Sequence, residues 1–197
     1  MSVLLRPDMK ASESPMLTMI CSIAAARAVE KCGGLRCGLK WPNDIVLNGR
    51  KVGGILVETE TEGEIITSAV AGFGLNVNVC LSALPGELRD TATSLWEHLG
   101  VETRLADLAG SLIRRLEQYL RRLPESAGAG EAEWLEREYA DMDGLSGKVV
   151  RVQQGERVIQ GPCAGVDARG FLLVSAGGTT HAIPWCDSVI VLGSAGR

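Results

Sequence analysis

Two lysines, an asparagine and an aspartate crowd into Lys40-Trp41-Pro42-Asn43-Asp44 and the run Arg50-Lys51-Val52-Gly53-Gly54-Ile55-Leu56-Val57-Glu58. Cations of this kind offset the charge of an anionic ligand, and a carboxylate can hold a hard metal ion. The Gly-Gly pair leaves the backbone bare enough for a ligand to lie against it. Downstream, Gly72-Phe73-Gly74-Leu75-Asn76-Val77-Asn78 again sets small residues before amides. The combination suits a site that handles a phosphate-bearing anion.

These residues need a frame, and the sequence supplies one. Ile45-Val46-Leu47 and Lys51-Val52 are β-prone runs on either side of Asn48-Gly49, the strongest short hairpin signal. A loop of those two residues alone pairs Leu47 with Arg50, Val46 with Lys51 and Asp44 with Gly53. Alternation then places Asp44, Val46, Lys51, Gly53 and Ile55 on one face. A longer loop would shift the register and invert that assignment. Taken alone, Lys51 reads more readily as a solvated hairpin lysine than as a site residue, and Asp44 also reads as a turn residue.

Around the hairpin the chain reads as α+β. Val3-Leu4-Leu5 forms a short strand closed by Arg6-Pro7. Ser14-Pro15 predicts an N-cap followed by proline at the first helical position, with Met16, Ile20, Ile23 and Ala24 at helical spacing and Gly33-Gly34 as the stop. A third strand runs from Ile65 to Ala71. From Thr103 a second long helix carries Leu105, Leu108, Leu112, Leu116 and Leu120 on one stripe, with arginines opposite. Pro124 and residues 126–130 break it, and Trp134, Leu135 and Tyr139 mark a short third helix. At Gly144 the chain changes to short strands between Gly-rich turns: Lys148–Gln153, Arg157–Gln160, Phe171–Ser175, Thr180–Ile183 and Ser188–Leu192. The expected division is therefore 1–143 for the core and 144–197 for a small β-barrel. A freestanding peptide-binding barrel competes with this, but Phe171 and Trp185 are a poor aromatic supply for a proline groove.

Composition excludes several classes. A net charge of −4 argues against a general nucleic-acid surface, and the Arg114-Arg115 and Arg121-Arg122 pairs fall on a helix's solvated face and end. No apolar run reaches the roughly 18–20 residues a membrane span needs, and no signal peptide precedes the first strand. The six cysteines form no CxxC pair and the two histidines stand far apart, so reduced thiols in a cytoplasmic protein are expected rather than a zinc site.

The Lys-Trp-Pro-Asn-Asp element, the Arg-Lys-Val-Gly-Gly-Ile run and Gly-Phe-Gly-Leu-Asn together resemble the bacterial biotin protein ligases, the biotin–[acetyl-CoA-carboxylase] ligases. The first element is far more specific than a lone glycine-rich loop, and the resemblance runs nearly end to end. It implies a catalytic sheet with packed helices similar to class II aminoacyl-tRNA synthetases, followed by an SH3-like barrel. It also implies ATP, Mg2+ and biotin, formation of biotinyl-5′-AMP with release of pyrophosphate, and transfer of biotin to a lysine of a biotin carboxyl carrier domain. Lys51 matches the family's catalytic lysine beside the biotin carboxylate and the adenylate phosphate. Lys40 and Asn43 match positions near the ATP phosphates, and Asp44 an acid placed for magnesium. Gly54 and Gly72 match positions along the biotin and adenylate cleft, and Asn76 an asparagine near the adenine. A homodimer is compatible with this reading; DNA and membranes are not expected partners.

One departure stands out. The family's Gly-Arg-rich loop of the form GRGRxG has no counterpart here, and Arg6 and Arg27 stand alone. The expectation is a ligase truncated at its N-terminus, by a shortened gene, a misplaced start or fragmentation. The alternative is a non-catalytic relic that keeps nucleotide binding or dimerisation.

Overall fold

The computed structural model describes residues 1–83, 85–123 and 132–194. Two five-stranded antiparallel sheets organise it. The first is built from β1 (Ser2–Leu5), β2 (Gly38–Lys40), β3 (Asp44–Leu47), β4 (Arg50–Glu62) and β5 (Ile65–Leu75), in the order β1-β5-β4-β3-β2. The short strand and the hairpin expected from sequence are both present, and the third strand runs on to Leu75.

One face of this sheet is covered by α1 (Ser14–Gly33), which in turn packs against α4 (Leu105–Leu120) and α5 (Glu133–Ala140). Because α1 is enclosed on several sides, its buried residues run almost without interruption from Met16 to Val29 instead of forming one stripe. Gly34 ends the helix in the left-handed region at φ +66°. Ser14 is not the N-cap: a 3-10 turn at Ala11–Glu13 precedes it, and Glu13 occupies the cap position. In α4 the stripe is Leu108, Leu112, Leu116 and Tyr119, whereas Leu105 at the N-terminal end is exposed. Arg27 of α1 ties that helix to α5, with Nε 3.0 Å from Glu138 and Nη1 2.9 Å from Glu30 of its own helix. The Tyr119 hydroxyl donates to the same Glu138 oxygen. The expected break at Pro124 and 126–130 lies outside the described residues. Two short helices, α2 (Gly86–Thr91) and α3 (Leu95–Leu99), precede α4.

The second sheet comprises β6 (Lys148–Gln154), β7 (Arg157–Val166), β8 (Leu172–Ala176), β9 (Thr179–Ile183) and β10 (Ser188–Ser194), ordered β10-β6-β7-β8-β9. β7 is longer than expected because it serves two partners: residues 157–162 pair with β6, and 163–166 pair with β8, with a bulge between Cys163 and Gly165. Gly161 at the bend lies too close to the Ser175 carbonyl for any side chain. Among the described residues no ladder joins β9 to β10, so the small barrel is open on that side.

The two sheets meet at the Lys-Trp-Pro-Asn-Asp segment. The buried Trp41 indole donates to the Gly170 carbonyl at 2.9 Å, while Leu39 exchanges backbone hydrogen bonds with Met142 and Gly144.

Candidate active site

Alternation in the first sheet sends Leu39, Ile45, Leu47, Ile55, Ala71 and Phe73 inward against the helices. The opposite face carries the polar residues. Cross-strand pairing runs Lys40↔Asp44↔Gly54↔Gly74 across four strands, so these four residues form one row. A second row, Leu56↔Gly72↔Ser2, lies beside it. Glycines at 54, 72 and 74 therefore leave the floor of this face without side chains.

The hairpin register differs from the expected one. Leu47↔Arg50 and Val46↔Lys51 hold, and both turn residues have positive φ (Asn48 49°, Gly49 78°), but Asp44 pairs with Gly54 rather than Gly53. A bulge inserts Val52 into β4 and resets the alternation. Gly53 and Ile55 turn toward the core, and Gly54 joins Asp44 and Lys51 on the open face. Lys51 Nζ lies 2.5 Å from Asp44 Oδ1, and a Cβ at Gly54 would sit 3.4 Å from that same Nζ. The acid and the lysine do flank a bare glycine, one residue further along than two-residue alternation gives.

An open depression of about 450 Å³ runs over this floor, lined by Asn43, Gly54, Gly72 and Gly74 together with Leu56 and Ser2. Asn43 braces its edge: its side-chain amide donates to Ile55 O at 2.7 Å, and its own carbonyl accepts from Ile55 N–H. Lys40 stands at the far end of the first row. Burial and the Asp187 charge push the Cys186 thiol of the β9–β10 turn up to about 11, with the Lys40 charge opposing them. Asn76 follows β5 and does not line the depression; its amide donates to Thr93 O at 3.1 Å. The structure thus brings Lys40, Asn43, Asp44, Lys51, Gly54 and Gly72 to one face, with Asn76 fixed just beyond.

Gly74 and Thr93 are the residues that sequence reasoning missed. Gly74 was legible, since the spacing of Gly72 and Gly74 already puts both on one strand face. Nothing local marks Thr93, because its bonds reach segments distant in the chain.

An antiparallel sheet backed by one long helix and followed by a small β domain is a fold that solved structures share with this chain. The biotin protein ligase of Aquifex aeolicus, in complex with biotin and ATP, superposes with a TM-score of 0.81 at 24% identity, over 96% of this chain and 77% of that one. Residues 1–76 match the biotin/lipoate A/B protein ligase family. The bifunctional ligase/repressor BirA of Bacillus subtilis is 41% identical over 100 residues, which are 51% of this chain and 31% of that protein. BirA of Escherichia coli is 28% identical over 179 residues, 91% of this chain and 53% of the relative. Over residues 1–76 the chain is thus similar to the biotin/lipoate A/B protein ligase family, and its fold is that of the solved biotin protein ligase. The chain spans about half the length, or less, of these curated relatives.

Proposed function

We propose that the open face of the first sheet joins biotin to ATP and hands the product to a carrier protein. The observation that carries this reading is the Lys40–Asp44–Gly54–Gly74 row with Lys51 folded onto it. The biotin carboxylate attacks the α-phosphorus of ATP, the bond to the bridging oxygen breaks, and pyrophosphate leaves with biotinyl-5′-AMP as product. A carrier lysine amine then attacks the acyl carbon, forming an amide and releasing AMP. Lys51 offsets the charge that two anions bring together at the reacting phosphorus, the dominant kind of help a protein gives such a step. Lys40 serves the outer phosphates. Gly54 and Gly72 let the acid and the adenylate lie flat on the strands, with Asn43 and Asn76 bordering them.

Magnesium fits this site in one way only. Among the described residues no group of three or more ligating side chains gathers, so no stand-alone metal cage exists. Asp44 offers a single carboxylate on the ligand face, which suits a Mg2+ that arrives with phosphate oxygens and water. When bound, the ion would neutralise phosphate charge. Asp44 would then exchange part of its contact with Lys51 for the ion, freeing the ammonium for the ligand.

A biotin–[acetyl-CoA-carboxylase] ligase of Mycobacterium tuberculosis is among the relatives, 33% identical over 158 residues. This supports the biotin carboxyl carrier domain of that carboxylase as acceptor. The test is biotin-dependent pyrophosphate release from ATP, followed by biotin transfer to a carrier domain, using the 197-residue chain. Calorimetry with ATP and with biotin accompanies it. Absence of ATP binding at millimolar nucleotide would refute the assignment of this face.

A further inference from the structure

Thr93 is a polar residue with no solvent exposure, and each of its three hydrogen-bonding groups serves a different part of the site. Its N–H donates to the Lys51 carbonyl at 2.7 Å. Its carbonyl accepts from the Asn76 side-chain amide at 3.1 Å. Its hydroxyl meets His98 Nε2, on α3, at 3.0 Å. The neighbouring Ser94 is equally buried; it caps α3 through Glu97 N–H and donates to Val79 O at 2.7 Å. Asn76 also donates its N–H to Val52 O and accepts from Leu95 N–H. The hairpin that carries Lys51 and the strand end that carries Asn76 are thus held to one residue, which α3 anchors.

Buried hydroxyls need partners, and a lost partner leaves the other group unsatisfied. The hydroxyl bond to His98 ties the Thr93 residue to α3, while its N–H and C=O hold the Lys51 carbonyl and the Asn76 amide. His98 is half-buried on that short helix and is the partner of the hydroxyl. Through that bond His98 acts on Lys51 and Asn76 by way of Thr93.

We propose that Thr93, oriented by His98, is a positioning residue that holds Lys51 and Asn76 in one frame for the ligand. The inference rests on the functional reading above for its meaning, but its geometry can be tested without it. Neither residue touches reacting atoms. Loss of the pair therefore lowers the fraction of molecules with both groups correctly placed.

The test compares Thr93→Val, which keeps the shape and removes the hydroxyl, with Thr93→Ser, which keeps the hydroxyl. His98→Ala and His98→Gln form the second pair, at a less buried position that can be altered even if Thr93→Val fails to fold. Two readouts apply to the full chain: NMR hydrogen exchange of the Thr93 amide and of the Asn76 side-chain amide, and ATP affinity by calorimetry. Thr93→Val and His98→Ala should speed both exchange rates and weaken ATP by about tenfold, the loss expected for one buried hydrogen bond. Thr93→Ser and His98→Gln should restore most of both. Unchanged protection at Asn76 and Thr93 in His98→Ala would overturn the proposal. If the parent chain binds no ATP, the functional reading fails on its own, and the exchange rates alone decide whether the pair positions Asn76 and Lys51.

Discussion

The two sheets have the same number of antiparallel strands, yet their glycines stand in different kinds of place. In the first sheet Gly54, Gly72 and Gly74 lie within strands and have ordinary strand backbones. What they contribute is missing volume on a face that no helix covers. In the second sheet Gly170 follows a turn, at φ +83°, wedged against the Pro15 carbonyl at the start of α1. Its value is a backbone shape and a close approach that no other residue allows. The candidate ligand-binding residues collect on the bare face of the first sheet. The second sheet holds the Trp41 end of that face in place and carries none of the candidate ligand-binding residues.

Substitution at Gly170 gives the largest expected effect. A Cβ there would come within 2.6 Å of the Pro15 carbonyl oxygen, and both neighbours are backbone that cannot rotate away. Gly170→Ala should cost about 3 kcal/mol or more and lower the melting temperature by roughly 10 °C. Unfolding followed by tryptophan fluorescence would report it, since the Trp41 indole is bonded to the Gly170 carbonyl. A melting temperature equal to that of the parent would mean that the second sheet is not locked to the first at this point.

Lys51→Ala should separate chemistry from stability in the other direction. The side chain is half exposed, and its pair with Asp44 is at the surface, where such pairs contribute at most about 1 kcal/mol. The melting temperature should barely move, while pyrophosphate release falls on the order of a hundredfold to a thousandfold. Release at the parental rate would remove Lys51 from the chemistry.

Many of these elements are legible in the sequence. The Asn48-Gly49 turn, the strand at Val3–Leu5, the Gly34 stop and the five C-terminal strands follow from local chemistry that each segment carries within itself. The bulge at Val52 does not. It depends on Gly53 fitting against Leu75 and Gly74 of a strand some twenty residues away, which strand alternation within β4 cannot register. The Trp41–Gly170 contact and the Thr93 node escape sequence reading for the same reason. Lys40, Asn43, Asp44 and Lys51 were recognisable as a group because two successive turns in one short stretch of chain bring them together.

Gly54→Ala tests the claim that the first sheet's glycines exist for space. The added methyl would meet Lys51 at 3.4 Å and Asp44 at 3.6 Å, ordinary contact distances, so the fold should accept it with little change. The methyl would nevertheless stand on the floor of the depression. One misplaced carbon in a fitted pocket costs roughly tenfold in affinity or more. Calorimetry with ATP and biotin should show that loss beside an unaltered melting temperature. A loss of stability with ligand affinity intact would instead make Gly54 a packing residue like Gly170.

The smallest effect is expected at the junction between the sheets, where Asp143 joins α5 to β6. Burial raises its pKa; the Leu145 and Ser146 N–H groups and the Lys148 charge pull the other way without cancelling the shift. Leu145 N–H donates to its Oδ1 at 2.8 Å, so the side chain is needed there as an acceptor even though its charge is not favoured. A raised carboxylate pKa means that the folded state takes up a proton more readily than the unfolded chain. The stability from that protonation is fully present below the unfolded value of about 3.9 and is lost as pH rises through the higher folded value. Asp143→Asn keeps an acceptor oxygen and removes the titration. The difference in stability between variant and parent should therefore move in the variant's favour as pH rises across that window, and then stay constant to neutral pH. Denaturant melts of both proteins from pH 3 to 7 would measure it. A difference that moved toward the parent with rising pH would mean that the Asp143 charge helps hold the second sheet to the first.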